Sequence, residues 1–458
     1  MNIIPFAIAL LFALPASSQD LQANLQYAIT ALENDPQLKH GTIALYVVDR
    51  DNGQLVFEKN AQTGMAPASC QKIITSAAAY ELLGKGYRYK TLISTNAHGD
   101  IVFQACGDPT LGSWRWKQTD KPEQMLADIF RRNNIYKING DIVVKSNRFA
   151  YQPLPDGWIW QDIGNYYGAG AWGLNWHENQ YDLNLSSGDK VGSATTILST
   201  TPVNLKTQIT NLIVAGAKGS GDNGYIYSAP YQEKIYTTGT IPAGEKKFTI
   251  SGSMPNPPLY FAQRLQEIFA ENKMAFSGKL VAVNPATSPF TETNYRLIDS
   301  IVSPPLDSIN YWFLKKSVNL FGEALVKTIA LEKEGIGNTD QGVSLIRKFW
   351  STAGIEPSAI KIADGSGLSP GNRVTADALV TVLQFARKAD WFSSFYFALP
   401  EMNGIKMKDG YINGVRSYAG YIDAKNGKHY SFAFLVNNFD GSAGTVREKM
   451  WKVLDLLK

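Results

Sequence analysis

The sequence predicts an α+β fold, in which an antiparallel sheet is layered with helices and a large, mostly β region is inserted. Three observations carry this prediction: a hairpin pattern near each end of the chain, and a long middle stretch of different composition. Helix and strand patterns at both ends indicate that the two ends build one sheet together. We therefore expect one domain from residues 19–92 and 300–458, interrupted by an inserted region at 93–299 with a candidate nested module at 186–245.

The first segment is typical of a secretory signal peptide. Residues 3–14 form an uncharged apolar run that is too short to span a membrane as a helix. The residues PASS at 15–18 follow, with small residues where a signal peptidase needs them, so we expect residues 1–18 to be removed. No later run has enough uncharged apolar residues to cross a bilayer. We expect an exported protein with at most peripheral membrane contact.

Each predicted element has its own local signal. Residues 21–32 have helical spacing, and GTIALYVVD and QLVFEKN flank the turn DNG at 51–53, where Asn-Gly between alternating apolar runs predicts a hairpin. A helical pattern then runs from residue 67 to Gly84, with Pro at its start and Gly at its end, as helix termini prefer. Near the C-terminus, VRSYAGYID and HYSFAFLVN flank Asn-Gly and predict a second hairpin, followed by a closing amphipathic helix. In the inserted region, short β-type runs are interrupted by one predicted helix, at 258–272.

The composition excludes several classes of function. The chain has 458 residues and a net charge of +4, without the basic surplus of a nucleic-acid-binding protein. Two Cys residues cannot form a disulfide framework or a thiolate zinc site. The four His residues are scattered, and none of them lies in an HExxH pair. Any nucleophile must therefore find a base other than histidine.

Ser69 and Lys72 form an S-x-x-K pattern at a predicted helix start. Residues three apart lie on the same helical face, so the Lys72 ammonium can reach the Ser69 hydroxyl. A serine in the first turn also lies among unpaired backbone N–H groups, which can hold a developing oxyanion. Taken alone, the pattern is equally typical of an N-capping serine beside a solvated lysine.

Two further triplets change this interpretation. S-V-N at 317–319 follows Ser69 by 248 residues and opens another helical pattern, and K-D-G at 408–410 follows at a strand edge before the last hairpin. The ordered set S-x-x-K, S-x-N and K-x-G is that of penicillin-binding proteins and class A β-lactamases. Order, spacing and secondary-structure setting together make the match specific.

With these motifs the chain resembles the class C low-molecular-mass penicillin-binding proteins, which are D-alanyl-D-alanine carboxypeptidases/endopeptidases of peptidase family S13. The likeness covers essentially the whole chain after residue 18. It implies a serine β-lactamase/DD-peptidase-like transpeptidase fold, a periplasmic location, peptidoglycan stem peptides as substrates, β-lactams as covalent inhibitors, and no metal or organic cofactor. The resembling segments are ACGDPTLGS at 105–113, INGDIVV at 138–144, PDGWIWQDIGNYYGAGAWGLN at 155–175, FTISGSMPNPP at 248–258, ADGSGLSPGNRVT at 363–375 and GVRSYAGY at 414–421.

The resemblance also implies a role for each motif residue. Ser69 would attack the D-Ala-D-Ala carbonyl and Lys72 would be its base, with a pKa lowered mainly by the charge of Lys408 and further by burial. Ser317 would relay a proton to the leaving amine, and Asn319 would hold the substrate's amide backbone. Lys408 would attract the substrate's terminal carboxylate. The backbone N–H groups of Ser69 and Tyr411 would form the oxyanion hole. Asp409 and Gly410, the other two residues of the third motif, would lie beside the substrate.

Asp409 departs from the family pattern, which has Thr or Ser at this position. An ionised Asp409 would repel the terminal carboxylate, so we expect it to weaken carboxypeptidase activity, to shift preference toward endopeptidase cleavage, or to be held protonated. Val318 replaces a common Asp, a mild change if its side chain points into the core. A β-lactamase is an alternative, although the 248-residue gap is too large for a single-domain lactamase. A catalytically weak peptidoglycan-binding protein is another, because of Asp409.

Three other features leave their roles open. Cys70, beside the nucleophile, is expected to be a small core residue, and a Cys70–Cys106 disulfide is permitted but not indicated. The loop at 364–367 is a candidate for lining the site, although a glycine-rich turn explains it equally well. The oligomeric state is unknown.

Overall fold

The structure, a computed structural model, describes residues 16–117, 119, 121–286 and 294–458. Residues 1–15 of the predicted signal segment lie outside this part of the chain. None of the described helices has the length and apolar character that a membrane crossing requires.

The helices are α1 Ala16–Glu33, α2 Lys72–Leu83, α3 Pro122–Arg132, α4 Trp160–Ile163, α5 Pro257–Glu271, α6 Leu306–Lys315, α7 Asn319–Glu334, α8 Thr339–Thr352, α9 Ala376–Arg387, α10 Phe392–Ala398 and α11 Ala443–Leu454. The strands are β1 Thr42–Asp49, β2 Leu55–Lys59, β3 Lys90–Thr95, β4 Ile101–Gln104, β5 Lys137–Ile138, β6 Ile142–Lys145, β7 Gln180–Ser186, β8 Thr196–Thr201, β9 Ile209–Asn211, β10 Val214–Gly216, β11 Asn223–Tyr227, β12 Ile235–Pro242, β13 Phe248–Ser253, β14 Ala275–Phe276, β15 Leu280–Val283, β16 Arg296–Val302, β17 Ile360–Lys361, β18 Arg373–Val374, β19 Glu401–Met402, β20 Ile405–Ile412, β21 Val415–Asp423 and β22 His429–Asn437.

The two ends of the chain build one six-stranded sheet. Its order is β19-β20-β21-β22-β1-β2, and every neighbouring pair is antiparallel. Both predicted hairpins, β1–β2 and β21–β22, are present, and the two hairpins meet where β1 pairs with β22. The prediction of one antiparallel sheet made from both chain ends is therefore confirmed.

Helices cover both faces of this sheet. On one face α1 and α11 pack through Leu25, Ile29, Met450 and Leu454 against the apolar side chains of the strands. On the other face lies the largest core cluster, in which α2 contacts α6, α7 and α9. The burial of α2 follows from its sequence, since the run from Ile73 to Tyr80 carries small and apolar residues on all sides. Lys72, the first residue of this helix, is buried together with the rest of it.

The region between the two ends contains further sheets. A mixed five-stranded sheet has the order β15-β6-β4-β3-β16, and β13-β7-β8 form an antiparallel sheet of three strands. Strands β9 to β12 form a separate small sheet within the stretch 186–245. The expected domain boundaries at 92/93 and 299/300 both fall inside strands, β3 and β16, which pair with each other.

The predicted helix at 258–272 is present as α5, but the expectation of a single helix in this region is wrong. Helices α3 and α4 also lie there. The apolar residues of α3, Leu126, Ile129 and Phe130, join the core cluster of the inserted sheets, where Phe130 contacts Phe103 edge to face. Tertiary burial of one helix face thus stabilises a segment whose sequence signal is weak. The α+β prediction as a whole is confirmed.

Candidate active site

Ser69 lies in a single 3₁₀ turn, Ala68–Gln71, which leads directly into α2. The turn is held against strand β20, where Gly410 meets it. A Cβ at Gly410 would lie 2.8 Å from Ser69 N, 2.7 Å from Pro67 O and 2.3 Å from Ser417 Oγ. Only glycine at 410 lets the two backbones come this close, so strand β20 and the turn Ala68–Gln71 form two walls of one site.

Lys72 is the first residue of α2, and its side chain is fully buried. Its Nζ donates to three oxygens: Ser69 Oγ at 2.8 Å, Asn319 Oδ1 at 2.7 Å and the Ser366 carbonyl at 2.7 Å. Burial, followed by the positive charge of Lys408, lowers the pKa of Lys72 to about 7. We expected the Lys408 charge to be the main cause; burial is larger, because the helix start is enclosed by α7 and the loop at 364–367. The arrangement is that of a lysine able to act as a base near neutral pH.

The second triplet lies between α6 and α7. Ser317 has a positive φ of 56° and lines the same pocket as Ser69. Asn319 opens α7, and its two amide atoms both have protein partners, since Oδ1 accepts from Lys72 and Nδ2 donates to the Tyr167 carbonyl at 2.8 Å. The amide therefore links the lysine to the inserted region, a contact that sequence reasoning did not predict. Val318 is buried in the core, as its apolar side chain requires.

The third triplet lies inside strand β20, with Lys408 almost fully buried. The Lys408 Nζ donates to Asp409 Oδ1 at 2.9 Å and to the Asp409 carbonyl at 2.8 Å. Arg416 Nη2 lies 3.9 Å from the other carboxylate oxygen of Asp409. Burial raises the pKa of Asp409, but Lys408 and Arg416 outweigh it, so the net shift is downward. The option that Asp409 is held protonated is therefore wrong, because two cations stabilise its charged form.

One pocket of about 450 Å³ is lined by four of the predicted site residues, whereas Lys72, Lys408, Asp409 and Gly410 lie behind its walls. It is lined by Ser69, Ser317, Asn319 and Tyr411, together with Gly367 of the candidate loop. Ser69 and Tyr411, whose backbone N–H groups are the predicted oxyanion hole, thus both line this cavity. The inserted region completes the walls with Ile159, Gln161, Asp162, Tyr167 and Tyr225.

Cys70 has no place in this pocket. Its side chain is fully buried, its Sγ donates to the Lys408 carbonyl at 3.2 Å, and burial raises the pKa of its thiol to about 12. Cys70 and Cys106 are both free thiols. The expectation of a core residue agrees with this burial, and the open question of a disulfide is answered by separate thiols. Within the described residues, no cluster of three or more His, Cys, Asp or Glu side chains could hold a metal.

Comparison with known proteins places the chain in a family. A sequence model described as the D-Ala-D-Ala carboxypeptidase 3 (S13) family matches residues 25–404. The D-alanyl-D-alanine carboxypeptidase of Actinomadura sp. (strain R39) is 26% identical over 94% of this chain and 84% of its own length. The D-alanyl-D-alanine carboxypeptidase DacB of Haemophilus influenzae is 22% identical over 87% of this chain and 85% of its own.

The crystal structure of penicillin binding protein 4 (dacB) from Haemophilus influenzae has the same fold. Its TM-score is 0.76 at 20% sequence identity, and the match covers 93% of this chain and 94% of that one. The fold inferred from the motif resemblance is thereby confirmed. Because the family match extends over most of the chain, this protein belongs to the D-Ala-D-Ala carboxypeptidase 3 (S13) family.

Proposed function

We propose that this protein is a serine DD-peptidase, which hydrolyses D-alanyl-D-alanine peptide bonds of peptidoglycan through an acyl-enzyme on Ser69. One observation carries the proposal: a buried lysine, with a pKa lowered to about 7, lies 2.8 Å from the hydroxyl of a serine at the edge of a pocket. A serine needs such a base to become a nucleophile at neutral pH.

The first half of the reaction forms the acyl-enzyme. Neutral Lys72 accepts the Ser69 proton while Ser69 Oγ attacks the carbonyl carbon of the penultimate D-alanine. The backbone N–H groups of Ser69 and Tyr411 stabilise the oxyanion of the tetrahedral intermediate. Ser317, at the same pocket, relays a proton to the leaving amine as the peptide bond breaks. The products are an ester on Ser69 and free D-alanine.

The second half returns the enzyme to its starting state. Water attacks the ester carbonyl, its proton passes to Lys72, and Ser69 Oγ leaves and is reprotonated. Asn319 is suited to hold Lys72 in line during both halves, because its Oδ1 lies 2.7 Å from Lys72 Nζ. We also keep its predicted role in holding the substrate's amide backbone as a proposal.

Asp409 bears on the choice of substrate. Its ionised carboxylate is bonded to Lys408, the cation assigned to the substrate's terminal carboxylate. We propose that this contact weakens carboxypeptidase activity and shifts the balance toward endopeptidase cleavage. The same contact is the observation in favour of a second candidate function, a catalytically weak peptidoglycan-binding protein.

Location and domain organisation complete the proposal. A periplasmic enzyme with a signal peptide at 1–18 is supported by the apolar run at 3–14 and by the family's peptidoglycan substrate. We propose that the peptidase domain comprises 19–92 and 300–458, and that 93–299 is the inserted region. β-Lactam adducts are expected because a structure of the Haemophilus influenzae penicillin binding protein 4 contains a bound β-lactam.

A fluorescent penicillin tests the proposed activity. Stable covalent labelling, lost in Ser69→Ala, is the result expected of a DD-peptidase. Rapid turnover of the penicillin would indicate a β-lactamase instead, and no labelling would indicate the weak binding protein. Release of D-alanine from a peptide ending in D-Ala-D-Ala then measures the activity directly, with Ser69→Ala as the control.

A further inference from the structure

We infer that Glu323 is a positioning residue for the reaction, holding the carbonyl group of Ser366 against the catalytic Lys72. The inference rests on the proposed function, since it concerns the same lysine. Glu323 belongs to none of the three motifs, and its side chain is fully buried. The Glu323 carboxylate accepts from the N–H of Ser366, and the carbonyl of that same residue accepts from Lys72.

A polar stripe on helix α7 brings Glu323 to this position. Asn319, Glu323 and Lys327 are four residues apart, so their side chains lie on one face of the helix. Asn319 contacts Lys72, and Lys327 donates to the carbonyls of Gln152 and Ala171 at 2.6 and 3.0 Å. Three polar side chains on a helix that is otherwise apolar here are costly to bury unless each has partners. Each has them, and the partners belong to the site or to the inserted region.

The loop at 364–367 is fastened to α7 through Glu323. The Glu323 carboxylate accepts from Gly365 N at 3.1 Å and from Ser366 N at 2.9 Å. A Cβ at Gly365 would lie 2.4 Å from the Gly322 carbonyl, so the loop backbone rests directly on the helix. The next carbonyl, that of Ser366, then points at Lys72 Nζ at 2.7 Å. The position of one hydrogen-bond acceptor of the base is therefore set by Glu323.

A second buried carboxylate fixes the far end of the loop. Asp364 accepts from Gly367 N at 2.8 Å, from Ser369 N at 2.6 Å and from Trp158 Nε1 at 2.9 Å. The loop therefore has two anchors. Of these two carboxylates, it is Glu323 that bonds the N–H of Ser366, the residue whose carbonyl accepts from the lysine.

The charges around the pair decide what a substitution at Glu323 does to the base. Glu323 faces Lys72 from α7, Asp364 and Asp409 face it from the loop and β20, and Lys408 opposes them from β20. Burial and the charge of Asp364 raise the pKa of Glu323 to about 8, while the Ser366 hydrogen bond and Lys72 act against this. Below that pH most of Glu323 is protonated, so replacing it by glutamine removes little charge and must leave the pKa of Lys72 close to 7.

The test compares two substitutions in the full chain by the rate of acylation with a fluorescent penicillin, measured from pH 5 to 9. Glu323→Gln keeps an oxygen that can accept from the N–H groups of Gly365 and Ser366, so we expect acylation to stay within about threefold of the unsubstituted protein and the rate to fall below the same pH, near 7. Glu323→Ala removes the acceptor, and we expect acylation to slow by about 10²-fold or more, because the base loses its fixed carbonyl.

Asp108→Asn is the matched control. Asp108 is also a buried carboxylate, bonded to Thr110, and it lies outside the site. We expect its replacement to lower thermal stability without slowing acylation. If a folded Glu323→Ala variant acylates as fast as Asp108→Asn, the inference is overturned. Where Glu323→Ala fails to fold, Glu323→Gln decides: a folded Gln variant that slows acylation by about 10²-fold, although its amide oxygen still offers the acceptor, overturns the inference as well. If the unsubstituted protein does not label at all, the proposed function fails rather than this inference.

Discussion

Replacing Asp409 tests how this site treats the terminal carboxylate of a substrate. Asp409→Ser restores the hydroxyl that the family pattern has at this position, and Asp409→Asn removes the charge with little change in shape. Both leave the strand pairing of β20 with β21 intact, since the Asp409 backbone and not its side chain pairs with Tyr418. The two substitutions therefore change the charge beside Lys408 and keep the walls of the site.

The size of the effect follows from the geometry. Asp409 Oδ1 lies 2.9 Å from Lys408 Nζ, so a substrate carboxylate bound to that cation would come close to the aspartate. Two like charges about 4 Å apart repel by about 4 kcal/mol at an effective dielectric constant of 20. The Asp409 side chain is 33% exposed and Arg416 lies 3.9 Å away, and solvent and the second cation both reduce the repulsion. We take about 1–2 kcal/mol, which corresponds to about 5- to 30-fold in kcat/KM.

The assay uses one peptide in two forms, ending in D-Ala-D-Ala with a free carboxylate or with a carboxamide. For Asp409→Ser we expect kcat/KM to rise about 5- to 30-fold on the carboxylate and to change by less than about threefold on the carboxamide. Thermal unfolding checks that the loss of the Lys408 partner has not destabilised the fold. Unchanged turnover of the carboxylate peptide, or an equal change on both peptides, would refute the reasoning.

Three further predictions concern the same site. Because the pKa of Lys72 is lowered to about 7 and its neutral form is the base, kcat/KM should fall about tenfold per pH unit well below pH 7 and level off above it; a profile flat down to pH 5 would contradict this. Gly410→Ala places a Cβ 2.8 Å from Ser69 N, and we expect penicillin acylation to drop by about 10²-fold or more, with Gly86→Ala, whose Cβ would meet nothing within 4 Å, as the control. Cys70→Ala should keep acylation within about threefold, and thiol reagents should not inactivate the native protein, because the thiol is buried with its pKa raised to about 12; rapid inactivation through Cys70 would show that the thiol is accessible.

Local patterns predicted the outer architecture well. The alternating runs and Asn-Gly turns predicted both hairpins, and Gly84 predicted the end of α2. The start predicted at residue 67 is wrong, because a 3₁₀ turn at Ala68–Gln71 precedes α2, which begins at Lys72. These signals act between residues close in sequence, so they are readable without the fold. Helix α3 was missed because its stability comes from packing against Phe103 and the inserted core, which lie far away along the chain.

The contacts that set the chemistry were predicted only in part. Ser69 and Lys72 are three residues apart, and the order of the three motifs placed Ser317 and Lys408 beside them. The hydrogen bonds from Lys72 to Asn319 and to Ser366 join residues 247 and 294 positions apart. No local pattern indicates which atoms meet across such separations.

The sequence by itself determined the family, the antiparallel sheet built from both chain ends, and the residue types and order of the site. The tertiary structure decided the pKa values and charge states of the site residues. Burial of the start of α2 lowers the pKa of Lys72 more than the charge of Lys408 does, and two cations keep Asp409 ionised. The order of the motif residues is a property of the sequence. Desolvation and charge pairing depend on which distant segments enclose a titratable group, and only the folded structure determines those segments.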